Sequence, residues 1–279
     1  MDTLFAEFLR EKLYIKNLSP KTKISYSQAF KWFSGTELSK PGLNAFILKM
    51  REGGLSPVTC NIYIRAMNSF LSWQYENGHI REPLKMKQLK EEKRVKEPFS
   101  DDEVSRLLSY KPKTFYEWRL YALVCTLIDT GCRIEEILTL KMTNLDFDNL
   151  LVKVIGKGNK ERVVPMSFEL RKVLFRFLQK RGDKLGLYVF ASRTGGRLSY
   201  WNMTRDFQNL CKSVSVPYKP FHYLRRTFAK NYITQGGSLF MLQRCLGHES
   251  ITTTQRYVCL NVEDLKETHL RTSILSRLR

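Results

Sequence analysis

Apolar residues recur at helical spacing from the N-terminus to about residue 88, as in Tyr63, Met67, Phe70 and Leu71, then Trp73 and Tyr75. Ser19-Pro20 and Ser56-Pro57 each set a capping hydroxyl before a proline at a first helical position, and Asn77-Gly78 supplies a stop. The pattern predicts a bundle of about four helices over residues 1–88. From Lys85 to Pro98 the periodicity lapses and charge dominates, with Lys85, Lys87, Lys90, Lys93, Arg94 and Lys96 against Glu91, Glu92 and Glu97. Residues 89–98 read as a charged, solvated linker. A second domain over residues 99–279 opens at Ser100-Asp101-Asp102-Glu103, which has capping-box spacing. Its apolar helix, from about Trp118 to Ile128, is broken by Asp129-Thr130-Gly131. Period-two segments then run from Leu151 to Ile155 and from Arg162 to Val164 around Gly156-Lys157-Gly158-Asn159-Lys160, predicting a hairpin with Lys157 at its tip. Helices resume over Ser167–Lys180 and Ser199–Val214. The tail, Glu263–Arg279, reads as one more amphipathic helix through Leu265, Leu270, Ile274 and Leu278. The expected fold class is mainly α with a small antiparallel β-sheet.

Charge narrows the function. Among 279 residues, 47 Lys and Arg stand against 27 Asp and Glu, a formal net charge of +20. Such an excess along the whole chain suits a polyanion, most often nucleic acid. An anionic membrane surface is the rival, weakened because no apolar run approaches the roughly eighteen residues of a spanning helix. Met1-Asp2-Thr3 does not begin a signal peptide, and a cytoplasmic protein is expected. The six cysteines form no Cys-x-x-Cys pair and no Cys/His cluster at zinc spacing, so neither a metal site nor a cofactor is expected. The Gly-x-x-x-x-Gly-Lys-Ser/Thr phosphate loop is absent.

Candidate chemistry concentrates between Phe221 and Tyr257. His222 and Arg225 lie three apart on a helix and share a face, where a guanidinium fork and an imidazole can meet one phosphate. Such a pair is more often a solvated helix face. Gly247 ends a helix, placing His248 at a junction and Tyr257 on the next segment, where a tyrosine beside cationic donors can act as a nucleophile. Upstream, Arg133 and Glu136 share a face near a helix start that favours an anion, and Glu136 is suited to hold a guanidinium in place.

Thr130-Gly131-Cys132-Arg133-Ile134-Glu135-Glu136, the Gly156–Lys160 hairpin, His222-Tyr223-Leu224-Arg225, and Leu246-Gly247-His248 followed by Tyr257 occur together in this order. At these four places the chain resembles the tyrosine recombinases, or phage integrase family, and among them Xer-type recombinases and simple two-domain integrases. The resemblance implies an N-terminal helical core-binding (SAM-like) domain that grips double-stranded DNA and a C-terminal α+β catalytic domain. It implies Arg133, Lys157, His222, Arg225, His248 and the nucleophile Tyr257 as catalytic residues, with Glu136 behind them. Cleavage would pass through a 3'-phosphotyrosine and release a 5'-hydroxyl, without metal or ATP. Lys21, Lys23, Lys90, Lys93 and Arg94 are candidate DNA contacts.

By the same resemblance four protomers act on two duplexes, a dimer per site, through a Holliday junction at the nucleoid. The C-terminal helix is exchanged in trans or packs in cis, and a partner recombinase or accessory protein is an open element. Met1 leads almost directly into the bundle, leaving no room for the arm-binding domain of larger integrases. Two alternatives stay in view. One is a type IB topoisomerase-like or hairpin-forming DNA strand transferase; the other is a non-catalytic basic DNA-binding regulator, which requires gaps in a constellation whose seven positions are all filled.

Overall fold

The computed structural model of the chain describes residues 1–91, 97–156, 160–181, 186–248, 250–255, 266 and 269. It divides into two compact units, Met1–Arg94 and Val95–Arg279.

The first unit holds α1 (Asp2–Tyr14), α2 (Pro20–Phe33), α3 (Lys40–Glu52) and α4 (Pro57–Glu76). Ser19, Ser39 and Ser56 cap the last three, each accepting from a backbone amide three residues on, with a proline in the first helical turn. Aromatic rings fill the core: Phe5 stacks on Phe30 with centroids 3.8 Å apart, and Phe70 meets Phe8 at 5.2 Å. Lys21, Lys23 and Lys90 are exposed; Lys93 and Arg94 lie outside the described residues.

Residues 84–91 are held against the bundle, and residues 92–96 of the expected linker lie outside the described residues. Leu84, Met86 and Leu89 pack on the aromatic core, and two asparagines of α4 grip the backbone between them. Asn68 accepts from the Met86 amide and donates to its carbonyl, both at 2.9 Å. Asn61 treats Leu89 the same way at 2.7 and 2.9 Å, and also donates to Glu91 at 2.7 Å. Seven helical residues rise about 10 Å, and three extended residues also span about 10 Å, so the two carboxamides meet the strap in register. Periodicity could not show this, because the strap is held through its backbone. Asn61 is 1% exposed. Asn61→Ala would orphan the Leu89 amide and carbonyl and should cost about 1–3 kcal/mol, read as a lowered urea midpoint.

In the second unit, α5 (Asp101–Leu108) starts with the Ser100/Glu103 capping box, and α6 (Phe115–Thr130) has a second box made by Thr114 and Glu117. Helix α6 is apolar nearly all round and lies in the middle of the core, against α8 (Phe168–Arg181) and α10 (His222–Thr234). Between α6 and α8 come the short α7 (Ile134–Leu138), a 3-10 turn (Met142–Asn144) and three antiparallel strands in the order β1 (Leu145–Asp146), β2 (Leu151–Ile155), β3 (Glu161–Pro165). The register pairs Val152 with Val164 and Val154 with Arg162, placing these four on the face that carries the buried valines. Helix α9 (Tyr200–Ser213) precedes α10, and α11 (Leu239–Leu246) and α12 (Ile251–Gln255) follow it. The helix expected over Glu263–Arg279 lies outside the described residues, apart from Lys266 and His269.

Candidate active site

Two glycines in left-handed conformation bring the site together. Gly131 ends α6 with φ of +62°, and a Cβ there would fall 2.2 Å from the Phe228 ring of α10. That close approach lets the Gly131 carbonyl accept from Arg225 Nη1 at 2.8 Å. Gly247 ends α11 with φ of +64°. Its amide bonds the Arg244 carbonyl and the His248 amide bonds the Gln243 carbonyl, the pair of bonds of a Schellman turn.

The turn leaves the Cys245 and Leu246 carbonyls open, and three arginines use them. Arg225 Nη2 donates to Leu246 O at 2.7 Å, Arg133 Nη1 reaches the same oxygen at 3.4 Å, and Arg162 Nε donates to Cys245 O at 2.8 Å. Cations are favoured at a helix C-terminus, where the carbonyl dipoles point outward. One oxygen that accepts from both Arg133 and Arg225 keeps those two guanidinium groups side by side.

Glu136, 4% exposed, is the counter-charge. Arg162 from β3 binds both its oxygens, at 2.8 and 2.7 Å, while Arg133 gives it the backbone amide at 2.7 Å and Nη1 at 3.0 Å. Burial raises the Glu136 carboxyl, but the Arg162 bonds and charge and the Arg133 amide outweigh it, holding the group below the ordinary carboxylate value. Arg133 is therefore the residue before α7, and the first amide there is taken by Glu136.

His248 is 8% exposed and engaged at both ring nitrogens. Nε2 lies 2.9 Å from Arg225 Nη2, and Nδ1 lies 2.9 Å from Thr254 Oγ1. A guanidinium only donates, so Nε2 accepts, the proton sits on Nδ1, and Thr254 receives it. Burial and then the charges of Arg225, Arg133, Arg162 and His222 push the imidazole down to about 4. Gln243 Nε2 donates to the His248 carbonyl at 3.0 Å, fixing the turn. His248 thus supports Arg225 here.

The structure brings Arg133, Glu136, Arg225 and His248 into one cluster. His222 is the exposed first residue of α10, whereas Arg225, on the same helix, is 1% exposed. Lys157 and Tyr257 lie outside the described residues; the Gly156 amide bonds the Lys160 carbonyl at 2.8 Å where the hairpin tip begins and ends. Arg162 and Thr254 were missed by sequence reasoning. Arg162 had a readable signal, because a charge on the inward face of an alternating strand needs a buried partner.

The family model described as the phage integrase family matches residues 97–264, more than half of the chain. The chain belongs to the phage integrase family. Its curated relatives include the tyrosine recombinase XerA of Thermococcus onnurineus, 27% identical over 95% of this chain and 94% of that one. The tyrosine recombinase XerD of Listeria monocytogenes is 27% identical over 96% and 98%. Among solved structures, the Tn1549 transposon integrase in complex with circular intermediate DNA shares the fold, with a TM-score of 0.79 at 20% identity over 96% of this chain and 98% of that one. A XerA recombinase crystal structure matches at 25% identity and TM-score 0.58, over 98% of both chains. As a phage integrase family member, the protein is a tyrosine site-specific recombinase, and the topoisomerase-like and regulator readings are not favoured.

The neutral state of His248 can be checked directly. Nitrogen NMR should show an Nδ1-protonated neutral ring across the physiological range, titrating near 4. Because the folded value lies below the ordinary 6.5, stability from this group is complete above 6.5 and falls as pH drops from there toward 4.

Proposed function

We propose that this phage integrase family member cleaves DNA with Tyr257, and that Arg133 and Arg225 bind the two non-bridging oxygens of the scissile phosphate. The observation that carries the reading is the Leu246 carbonyl shared by both guanidinium groups. Charge grows on those oxygens as the nucleophile attacks, and guanidinium donors held side by side can stabilise it once the phosphate reaches them. Arg133 is 39% exposed at its side chain and Arg225 is 1% exposed, so substrate binding has to open a path to the second arginine.

Tyr257 Oη forms a bond to phosphorus, its proton passing toward His222, and the bond from phosphorus to the 5'-oxygen breaks. That oxygen takes a proton from Lys157 and leaves as a 5'-hydroxyl. The DNA stays joined to the protein as a 3'-phosphotyrosine, so the bond energy is conserved and no ATP is required. A 5'-hydroxyl from a second duplex then attacks the phosphotyrosine and regenerates Tyr257. Neutral His248 orients Arg225.

Residues 1–88 act as a core-binding domain, with Lys21 and Lys23 on the duplex; Lys90, Lys93 and Arg94 follow the phosphate backbone. Four protomers act on two duplexes, a dimer per site, with the tail helix over residues 263–279 docking on a neighbour and a partner recombinase or accessory protein where a site requires one. The protein works in the cytoplasm, at the nucleoid. This reading is supported by the family's XerA and XerD relatives and by the net charge of +20.

A nicked suicide duplex carrying a site from DNA flanking the gene, incubated in EDTA, should give a covalent adduct with wild type and binding alone with Tyr257→Phe. Binding by both without any adduct would count against the catalytic reading. Arg225→Ala should slow adduct formation by about 10² or more. Binding should weaken with salt at a log-log slope of about −0.9 per neutralised phosphate.

A further inference from the structure

Strand β3 carries a charge that the proposed chemistry leaves without a task. Arg162 points inward opposite Val154, on a face where Val152, Val154 and Val164 are all buried. Its side chain is 12% exposed, so the guanidinium needs full pairing to sit there. Both Glu136 oxygens and the Cys245 carbonyl supply it.

The arrangement around Glu136 is asymmetric. One buried carboxylate faces two arginines, and Arg162 holds the bidentate position, while Arg133 contributes one guanidinium nitrogen and its backbone amide. A carboxylate paired with Arg133 alone would turn that guanidinium into the same bidentate grip and cancel its charge. With Arg162 present, the group of two arginines and one glutamate keeps a net positive charge, and it sits on the half-exposed Arg133.

We propose that Arg162 is a positioning residue for DNA cleavage: by occupying both oxygens of Glu136 it offsets that charge and leaves the Arg133 guanidinium turned outward for the scissile phosphate. This rests on the reading that Arg133 binds that phosphate. The cluster is built tightly around the side chain. A Cβ on Gly247 would fall 2.9 Å from Arg162 Cδ, and one on Gly156 would fall 3.6 Å from its Nη1. Through the Cys245 carbonyl the same guanidinium ties the strand leaving the hairpin to the end of α11, where Arg133 and Arg225 are also anchored.

The test is single-turnover cleavage of a suicide duplex at saturating protein, with binding and thermal melting measured in parallel. Wild type is compared with Arg162→Met, Arg162→Lys, Glu136→Gln and the double variant Glu136→Gln/Arg162→Met. Arg162→Met should lower the cleavage rate by about 10², with affinity nearly unchanged because many other phosphates carry the binding. Lysine keeps the charge without the fork and should fall between. The deciding result is the double variant: removing the stranded Glu136 charge should return about tenfold of the lost rate.

Cleavage by Arg162→Met at the wild-type rate would overturn the proposal. So would a double variant no faster than Arg162→Met while melting as a folded protein, because that marks Arg162 as scaffold only. If Arg162→Met does not fold, Arg162→Lys against Glu136→Gln/Arg162→Lys carries the same comparison with the same expected direction. Absence of any adduct with wild type would overturn the underlying cleavage reading and the proposal with it, whereas loss confined to the rescue strikes only at Arg162.

Discussion

The C-terminal carbonyls of α11 are the point on which the cluster depends. A helix end leaves its last carbonyls without partners inside the helix, and burying them unpaired would be costly. Here the Schellman turn at Gly247 satisfies Gln243 and Arg244, and the next two carbonyls are given to Arg162, Arg133 and Arg225. Three cations from three different elements are thereby drawn to one helix end. Their mutual repulsion is offset by Glu136 and by the carbonyl dipoles, and the remaining positive charge is what a phosphate can use.

The same economy explains the residues around the arginines. Gly131 and Gly247 adopt left-handed backbone and also clear space, one for Phe228 and the other for Arg162. His248 stays neutral because burial and three arginines disfavour its protonation, and a neutral ring can accept from Arg225 where an imidazolium could not. Thr254 on α12 fixes the tautomer. The fold thus holds these side chains together, with Arg225 covered behind the Gly131 and Leu246 carbonyls.

Much of this was legible in the chain, for physical reasons that can be named. Helix starts at Ser19, Ser56 and Ser100 were readable because a hydroxyl or carboxylate cap leaves a short-range signature, and the hairpin was readable because Val152, Val154 and Val164 alternate with exposed positions. Arg133, Glu136, Arg225 and His248 were found through motifs, and the structure gathers them. Hidden were interactions with no local period. Asn61 and Asn68 grip backbone 28 and 18 residues away, and Thr254 meets His248 across 6 residues. The partners of His248 were hidden too, since sequence shows which nitrogens exist and not which groups meet them.

The most direct measurement is a crystal structure of Tyr257→Phe protein with a duplex carrying its site, solved before cleavage. The account requires Arg133 and Arg225 each within hydrogen-bond distance, about 3 Å, of a non-bridging oxygen of one phosphate, with Arg162 still bidentate on Glu136 and His248 still on Arg225. A scissile phosphate held by other side chains, with Arg225 still sealed behind the Gly131 and Leu246 carbonyls, would contradict it.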